Sequence, residues 1–329
     1  MTTFRALLVD RDDAGYRCAL HSLPMDRLPD GEVTVRIAHS TLNYKDALAI
    51  TGRGVIVRSF PLVPGIDFAG VVEQSLDARF HPGDRVVATG FGLGVDHWGG
   101  LAEYARVPAD WLIRLPDAMS TRDAMTFGTA GVTAMLAIIG IENHGIDASR
   151  GPVLVTGAGG GVGGLAIHLL SRLGYTVIAS TGRMAEAPYL KALGAKDVID
   201  RAALSEPGKP LAKARWAAAI DNAGSHTLAN VCAGLMDDGI VMACGMAQGL
   251  DFPGSVAPFV LRGVTIAGIN SVNRSPALRA TVWRRLAELT DRTTVAAMME
   301  TVPLGKALEL ADPLIDGTIR GRLVIDCAR

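Results

Sequence analysis

The chain has 329 residues. Because a domain with a single hydrophobic core is usually shorter than this, two domains or one domain interrupted by an insertion are expected. Hydrophobic residues make up 49% of the chain and charged residues 20%, a globular composition that excludes an intrinsically disordered protein. The formal net charge of -1 excludes the strong basic excess on which binding to nucleic acid or to an anionic membrane surface depends.

Up to about residue 120 the sequence predicts short β-strands separated by turns. Apolar and β-branched runs alternate there with Pro-Gly and Gly-Asp pairs. The predicted strands cover residues 33–38, 68–73, 85–89 and 101–107. This first part is therefore predicted to be all-β.

From about residue 121 the pattern alternates between helices and strands, which is typical of a parallel sheet covered on both faces. The predicted helices cover 130–139, 162–173, a segment ending near 193, and 226–235; the predicted strands cover 152–156, 176–180, 197–200, 217–221, 239–244 and 264–269. Two further helices, over 275–290 and 304–315, precede a closing strand over 321–326. We predict one domain at 1–122, completed by 271–329, and a second at 123–270.

The strongest local motif is a strand, a glycine turn and an apolar helix in the order that dinucleotide binding requires. The strand Val153–Thr156 runs into the turn Gly157–Gly164. Two registers fit the motif, Gly159-Gly161-Gly164 and Ala158-Gly160-Gly163, and the sequence does not choose between them. Backbone N–H groups of such a turn bind a pyrophosphate. The residues assigned to that role are Gly159, Gly160, Gly161 and Val162.

The end of the next strand predicts which dinucleotide is bound. An NAD enzyme typically presents a carboxylate there, whereas this chain reads Ser180-Thr181-Gly182-Arg183. Hydroxyl groups and a guanidinium suit a 2′-phosphate, so NADPH is predicted over NADH, with Thr181, Gly182 and Arg183 as its contacts. Arg201 adds a further positive charge. The alternatives are a solvated Arg183 at a helix start and a surface ion pair for Arg201.

With these features in place, the whole chain resembles the medium-chain dehydrogenase/reductase superfamily. Four segments are similar to its acryloyl-CoA reductase branch, formerly grouped with quinone oxidoreductases: Asn43–Ala49, Pro64–Gly70, His97–Glu103 and Pro258–Arg262. The resemblance implies an α/β fold, with a Rossmann doubly wound parallel-sheet domain and a GroES-like β-rich catalytic domain. It also implies NADPH-dependent reduction of an activated double bond, and a homodimer.

The catalytic metal of zinc-dependent relatives is predicted to be absent. Their GHExxG segment corresponds here to Gly65–Gly70, in which Ile66 stands in place of the histidine ligand, and Asn43 stands about where a cysteine ligand would be. Catalytic zinc needs three good nitrogen, sulfur or carboxylate ligands. The four-cysteine lobe that binds structural zinc in some relatives is also missing, so we predict no metal. Without a Lewis acid, conjugate reduction is favoured over alcohol oxidation.

Three polar residues are predicted to form the catalytic group. Tyr44 is the candidate for positioning nicotinamide and substrate and for donating a proton, although water is an equal candidate for the proton. Asn43 and Asp67 are expected to orient the nicotinamide amide or ribose; their alternative role is the capping of β-turns. Further cofactor contacts are assigned to Met246, Val260 and Ser271.

The leading functional prediction is reduction of a short 2-enoyl-CoA, acryloyl-CoA to propionyl-CoA. The alternatives are a broad quinone or enone reductase and a non-catalytic NADPH-binding redox sensor. The expected partners are a small acyl-CoA substrate and a second copy of the chain, with no nucleic acid and no membrane.

The cysteine pattern and the first residues predict where the protein resides. Cys18, Cys232, Cys244 and Cys327 lie far apart with no CxxC pair, as is typical of a reducing compartment. The N-terminal segment lacks a basic region followed by an apolar run, and glycine or charge interrupts the longest apolar stretches before membrane-spanning length. We expect an unprocessed, soluble cytoplasmic protein.

Overall fold

The computed structural model describes residues 2–13 and 15–329. The chain divides into two units, called here the split unit, up to Thr129 and again over Ser271–Arg329, and the central unit, Ala130–Asn270. The predicted boundary at 122/123 falls inside a helix, whereas the units separate at 129/130, one residue after that helix is broken. The second division lies at 270/271.

The first part of the split unit is β-rich, and it contains one helix that the sequence did not predict. Its strands are β1 (Thr3–Asp12), β2 (Gly15–Pro24), β3 (Val33–Leu42), β4 (Asp67–Ser75), β5 (Arg85–Thr89), β6 (Tyr104–Val107) and β7 (Leu112–Arg114), and its helix is α1 (Tyr44–Thr51). The hairpin of β1 and β2 was also missed, because charged residues interrupt its apolar alternation.

Helix α2 (Thr121–Asn143) carries the chain from the split unit into the central unit. Gly128 adopts a non-helical conformation (φ 49°, ψ -150°) that breaks the helix. By length and composition α2 could cross a membrane, so the expectation that every apolar stretch stops short of that length was wrong. Its most apolar window is 83% buried, which identifies α2 as a core helix.

The central unit is a six-stranded, wholly parallel sheet with order β10-β9-β8-β11-β12-β13. Its strands are β8 (Val153–Val155), β9 (Val177–Thr181), β10 (Ala195–Asp200), β11 (Trp216–Asp221), β12 (Leu235–Ala243) and β13 (Thr265–Gly268). Its helices are α3 (Gly161–Arg172), α4 (Ala187–Ala192), α5 (Ala202–Ser205), α6 (Ser225–Ala233) and α7 (Ala257–Arg262). In such a sheet ligands bind at the carboxyl ends of the strands.

The last segment of the chain completes the split unit. It contains α8 (Pro276–Leu289), α9 (Arg292–Ala297), β14 (Met299–Pro303), α10 (Ala307–Ile315) and β15 (Arg322–Asp326). Strands β14 and β15 join a seven-stranded sheet, in the order β14-β15-β3-β4-β5-β7, with β6 paired to β3. The buried apolar faces of β3, β4, β5 and β15 form its core. Because β15 and β4 flank β3, residues distant in sequence meet at one end of three adjacent strands.

Candidate active site

A cluster of buried polar side chains lies where β3 ends and α1 begins. The Asn43 cluster, as we call it, comprises Thr41, Asn43, Asp46, Asp67 and Arg322. The antiparallel pairing of Ser40 with Phe68 and of Leu42 with Leu323 brings the first residues of β4 and β15 to this point. The sequence predicted two of the five members, Asn43 and Asp67.

Asn43 is the residue before the first turn of α1. Its amide nitrogen faces three acceptors, the Thr41 hydroxyl at 2.8 Å and one carboxylate oxygen each of Asp46 and Asp67 at 3.0 Å. Its amide oxygen accepts a hydrogen bond from Nη2 of Arg322 at 3.0 Å. Donor and acceptor therefore cannot be exchanged, and the orientation of the amide is unique.

Asp67 is completely buried, and groups of the split unit itself occupy both of its carboxylate oxygens. Oδ1 accepts from the Thr41 hydroxyl at 2.5 Å, and Oδ2 accepts from the Asn43 amide and from the backbone N–H of Thr129 at 2.7 Å. The structure thus places Asp67 beneath Asn43 as part of the scaffold. It is not at a surface where a carboxylate could meet the nicotinamide ribose.

Asp46 anchors two backbone segments. Its Oδ2 accepts from the backbone N–H of Asn43 at 2.8 Å, closing the first turn of α1, and its Oδ1 accepts from the N–H of Ile66 at 2.9 Å. Burial, followed by the nearby charge of Asp67, raises the pKa of Asp46. Burial also lowers the pKa of Arg322, against the opposing charges of Asp67 and Asp46. The cluster therefore places one cation beside two carboxyl groups.

Tyr44 differs from the rest of this group because it is 57% exposed. It is the first residue of α1, immediately after Asn43. Its hydroxyl has no hydrogen-bond partner in the part of the chain that the structure describes. A phenol held at the start of an anchored helix, and free at its oxygen, remains available to a ligand.

The structure provides no set of metal ligands within the described residues 2–13 and 15–329, where no group of three or more His, Cys, Asp or Glu side chains could hold an ion. At the positions compared with a zinc site, Ile66 presents an apolar side chain and Asn43 is fully engaged in the cluster. Independence from zinc remains a prediction.

The glycine turn of the central unit begins at the end of β8. Gly157 has a positive φ of 59°, and Gly160 precedes the first turn of α3. A Cβ atom at Gly163 would lie 2.3 Å from the carbonyl oxygen of Gly157, so α3 approaches the turn more closely than any side chain allows. This contact favours the Ala158-Gly160-Gly163 register. The N–H groups at the start of α3 are the part of the turn suited to phosphate.

Two arginines flank the carboxyl end of β9. Nη2 of Arg183 donates to the Gly159 carbonyl at 3.4 Å, and Nε lies 3.2 Å from the carboxylate of Glu186. The guanidinium of Arg201 lies against Gly182, where a Cβ would be 2.5 Å from Nε. Arg201 has no acidic partner among the described residues. The ion pair of Arg183 with Glu186 was not predicted, because it depends on a turn between β9 and α4.

Ser180 and Thr181 form the last two positions of β9. The Thr181 hydroxyl accepts from the backbone N–H of Arg183 at 3.1 Å, which shapes the turn. The buried hydroxyl of Ser180 has no hydrogen-bond partner within the described part of the chain. A buried polar group without a partner is costly, so this hydroxyl is a candidate contact for a bound molecule.

The end of β11 is held to the end of β8 by side chains that the sequence analysis missed. The Thr156 hydroxyl donates to Asp221 at 2.6 Å, and Asn222 donates to the Thr156 carbonyl at 2.8 Å. Burial raises the pKa of Asp221. These bonds hold the strand ends beside the glycine turn, and the only sequence signal was a polar pair followed by Ala-Gly.

The three remaining predicted cofactor contacts have different locations. Met246 follows β12, so it lies at the carboxyl edge of the sheet. Ser271, the first residue of the second segment of the split unit, follows β13 and accepts a hydrogen bond from Arg279 at 3.0 Å. Val260 lies in α7, near Arg262, which donates to the carbonyl of Leu235 at the start of β12. The side chain of Val260 is 76% exposed, and its contact with the cofactor stays a prediction.

Comparisons with known families agree with this architecture. Residues 29–117 match the family model of the alcohol dehydrogenase GroES-like domain, and residues 161–292 match that of the zinc-binding dehydrogenase. The first match lies within the split unit. The second covers most of the central unit, all of α8 and the first residue of α9.

Individual proteins are similar over the full length. The chain is 47% identical to the probable acrylyl-CoA reductase AcuI of Escherichia coli and 45% identical to the acrylyl-CoA reductase AcuI of Ruegeria pomeroyi, covering 98% of this chain and 99% of each relative. The crystal structure of the YhdH oxidoreductase from Salmonella enterica in complex with NADP superposes with a TM-score of 0.96 at 46% identity, covering 98% of this chain and 99% of that chain. The chain thus belongs to the medium-chain dehydrogenase/reductase superfamily, in the branch of these acrylyl-CoA reductase relatives.

Proposed function

We propose that the protein is an NADPH-dependent reductase of short 2-enoyl-CoA thioesters that converts acryloyl-CoA to propionyl-CoA. The observation that carries the proposal is the identity of 47% and 45%, over 98% of the chain, to two proteins named acrylyl-CoA reductases. Identity of this extent covers both units, including the segments around Asn43 and Gly157.

The reaction consumes one NADPH and one proton for each acryloyl-CoA. When bound, NADPH supplies the hydride that adds to the β-carbon of the conjugated thioester. Negative charge then develops on the thioester oxygen, and the α-carbon takes a proton. The protein must therefore orient the two reactants, stabilise the developing charge and allow a proton to reach the α-carbon.

Several groups of the central unit support binding of NADPH. The close approach of Gly163 and the positive φ of Gly157 form the turn for the pyrophosphate. Arg201 has no acidic partner among the described residues, and with Arg183 it offers two guanidinium groups to the 2′-phosphate. The hydroxyl of Ser180, which has no hydrogen-bond partner among the described residues, lies at the carboxyl end of β9. Thr181 and Gly182 shape that end.

In the split unit, Tyr44 is the group that we assign to the reactants. Its exposed phenol orients the nicotinamide and the acyl group and is a candidate proton donor. Asn43 and Asp67 act beneath it by holding the start of α1. With no set of metal ligands among the described residues, we propose catalysis without zinc.

We further propose that the protein is a cytoplasmic homodimer. Strand β13 is an edge strand of the central sheet, with an unpaired side that a second copy can extend. Large apolar side chains are exposed in the same part of the central unit: Met246, Leu250, Phe252, Val256, Val260 and Leu261. Such a patch favours an interface. Light scattering measures the molar mass of the native protein and of the Val260→Glu variant. A native protein with the mass of a monomer would contradict the homodimer.

The direct test of function is oxidation of NADPH, followed at 340 nm, with acryloyl-CoA, crotonyl-CoA or a small quinone, and with NADH replacing NADPH. Selective turnover of acryloyl-CoA with NADPH is the expected result. Turnover of the quinone alone would replace this proposal by a general quinone or enone reductase. Binding of NADPH without turnover of any acceptor would indicate a redox sensor.

A further inference from the structure

The guanidinium of Arg322 is a buried group that neither the sequence pattern nor the reaction assigned to any role. Arg322 is 5% exposed and is the first residue of β15. It donates from Nη2 to the amide oxygen of Asn43 and from Nε to the backbone carbonyl of Thr126, both at 3.0 Å. One planar side chain thus connects the closing strand, helix α2 and the residue before Tyr44.

The break in α2 supplies two of the contacts in this cluster. In a continuous helix the carbonyl of Thr126 and the N–H of Thr129 would bond along the helix, but Gly128 interrupts it. Arg322 takes the carbonyl, and Asp67 takes the N–H. A Cβ at residue 128 would lie 2.7 Å from Oδ2 of Asp67 and 3.2 Å from Nη2 of Arg322, so this arrangement requires glycine.

We propose that Arg322 is a positioning residue that, through Asn43, holds the first turn of α1 and so fixes Tyr44. The inference rests on the proposed function for the role of Tyr44. The amide oxygen of Asn43 has one side-chain donor, Nη2 of Arg322, while its nitrogen is held by Thr41, Asp46 and Asp67. Without Arg322 the amide oxygen of Asn43 loses its side-chain donor, so the start of α1 is held less firmly next to Tyr44.

The charge of Arg322 supports the same arrangement. The charged groups that face it are Asp67 on β4 and Asp46 on α1, and the contact from α2 is an uncharged carbonyl. Loss of the cation leaves two buried carboxyl groups together, which makes ionisation of both more costly. The donors at Asn43, Thr41 and Thr129 then face a partly protonated pair and bind it less well.

The experiment compares Arg322→Ala, Arg322→Lys and Arg279→Ala in the full-length protein. Arg279 is the matched control: its guanidinium is also buried, at 2% exposure, but it donates to Thr89 and to the carbonyls of Ser271 and Val272, away from α1. Amide hydrogen exchange of the peptide covering residues 43–51 reports on α1 without any substrate. Kinetics with acryloyl-CoA and binding of NADPH are measured on the same samples.

For Arg322→Ala we expect faster exchange at 43–51, a loss of kcat on the order of 10- to 100-fold, and an unchanged dissociation constant for NADPH. Guanidinium ion at low millimolar concentration should restore part of both losses. Arg322→Lys should also exchange faster at α1, since one ammonium cannot reach both acceptors. Arg279→Ala should leave exchange at 43–51 at the native level.

Native exchange at α1 in Arg322→Ala would overturn the proposal, as would faster exchange spread equally over the split unit and unaffected by guanidinium. If Arg322→Ala does not fold, native exchange and kcat in Arg322→Lys would overturn it. If the native protein does not reduce acryloyl-CoA, the proposed function fails, while the exchange data still decide whether Arg322 holds α1.

Discussion

The glycine turn of the central unit and the Asn43 cluster of the split unit are both polar sites at strand ends, but their hydrogen-bonding groups are used differently. At the turn, the Ser180 hydroxyl and the Arg201 guanidinium have no protein partner among the described residues. In the cluster, the Asp67 carboxylate and the Asn43 amide are occupied by the split unit itself. We interpret the first arrangement as a ligand site and the second as a scaffold.

The largest effect is expected when Asp67 is removed from the Asn43 cluster. Asp67→Ala removes a buried carboxylate that faces Arg322 and accepts hydrogen bonds from Thr41, Asn43 and Thr129, so we expect the free energy of unfolding to fall by about 3–5 kcal/mol. Urea unfolding measures it. Glu73→Ala, on the same strand, removes an exposed pair with Arg36 and should cost about 0–1 kcal/mol. Equal losses would show that Asp67 is no more important than a surface carboxylate.

The second-largest effect is expected from a change in the packing of α3 against the glycine turn. Gly163→Ala places a methyl group 2.3 Å from the Gly157 carbonyl oxygen, so α3 must move away. We expect about 1–3 kcal/mol lower stability and a dissociation constant for NADPH raised on the order of tenfold or more. Gly305→Ala, where the added atom lies 3.7 Å from Leu20, is the control. Native affinity in Gly163→Ala would contradict the helix-packing role.

We expect the choice of cofactor to depend on Arg201, which has no acidic partner among the described residues. If Arg201 contacts the 2′-phosphate as proposed, Arg201→Gln removes a charge-assisted contact worth about 1.5–3 kcal/mol, and KM for NADPH should rise about tenfold or more. KM for NADH, which lacks that phosphate, should not change and serves as the internal control. A parallel rise for both cofactors would place Arg201 outside the phosphate site.

The scaffold also predicts a pH dependence. Because the pKa of Asp46 is raised in the folded protein above its unfolded value of about 3.9, the folded state binds more protons. The free energy of unfolding should therefore fall as the pH rises from about 4 toward the folded pKa of about 7, by up to about 1.4 kcal/mol for each pH unit in that window. Asp46→Asn should remove this slope in urea titrations between pH 4 and pH 8. The same slope in Asp46→Asn and in the wild-type protein would contradict the assignment.

The smallest effect concerns Glu186. Its carboxylate pairs with Arg183 beside Gly159 and would repel a 2′-phosphate. Glu186→Gln removes the negative charge that pairs with Arg183 and should lower KM for NADPH about two- to fivefold, as expected when one partly exposed ion pair is removed. Steady-state kinetics at low ionic strength measure it. A raised KM would mean that Glu186 contacts the cofactor favourably.

Most of the secondary structure was predictable, since most of the central strands and helices have strong apolar periodicity and fall within a few residues of the predicted ranges. The hairpin of β1 and β2 was not predictable, because charged residues interrupt its apolar alternation. Helix α1 was not predictable either, because it spans only eight residues. Of the Asn43 cluster, Asn43 and Asp67 were predicted through resemblance. Asp46 was not, because an aspartate in the first turn of a helix most often faces solvent.

The amino-acid sequence by itself determined the two-part α/β organisation, the position of the dinucleotide turn and the absence of zinc ligands at the compared positions, because these depend on local periodicity and residue type. Only the tertiary structure decided that Asp67 is scaffold, that Gly163 sets the helix register and that Arg322 meets Asn43. Such contacts join residues up to 279 positions apart, and the pairing of β15 with β3 that brings them together is set by the packing of the whole sheet.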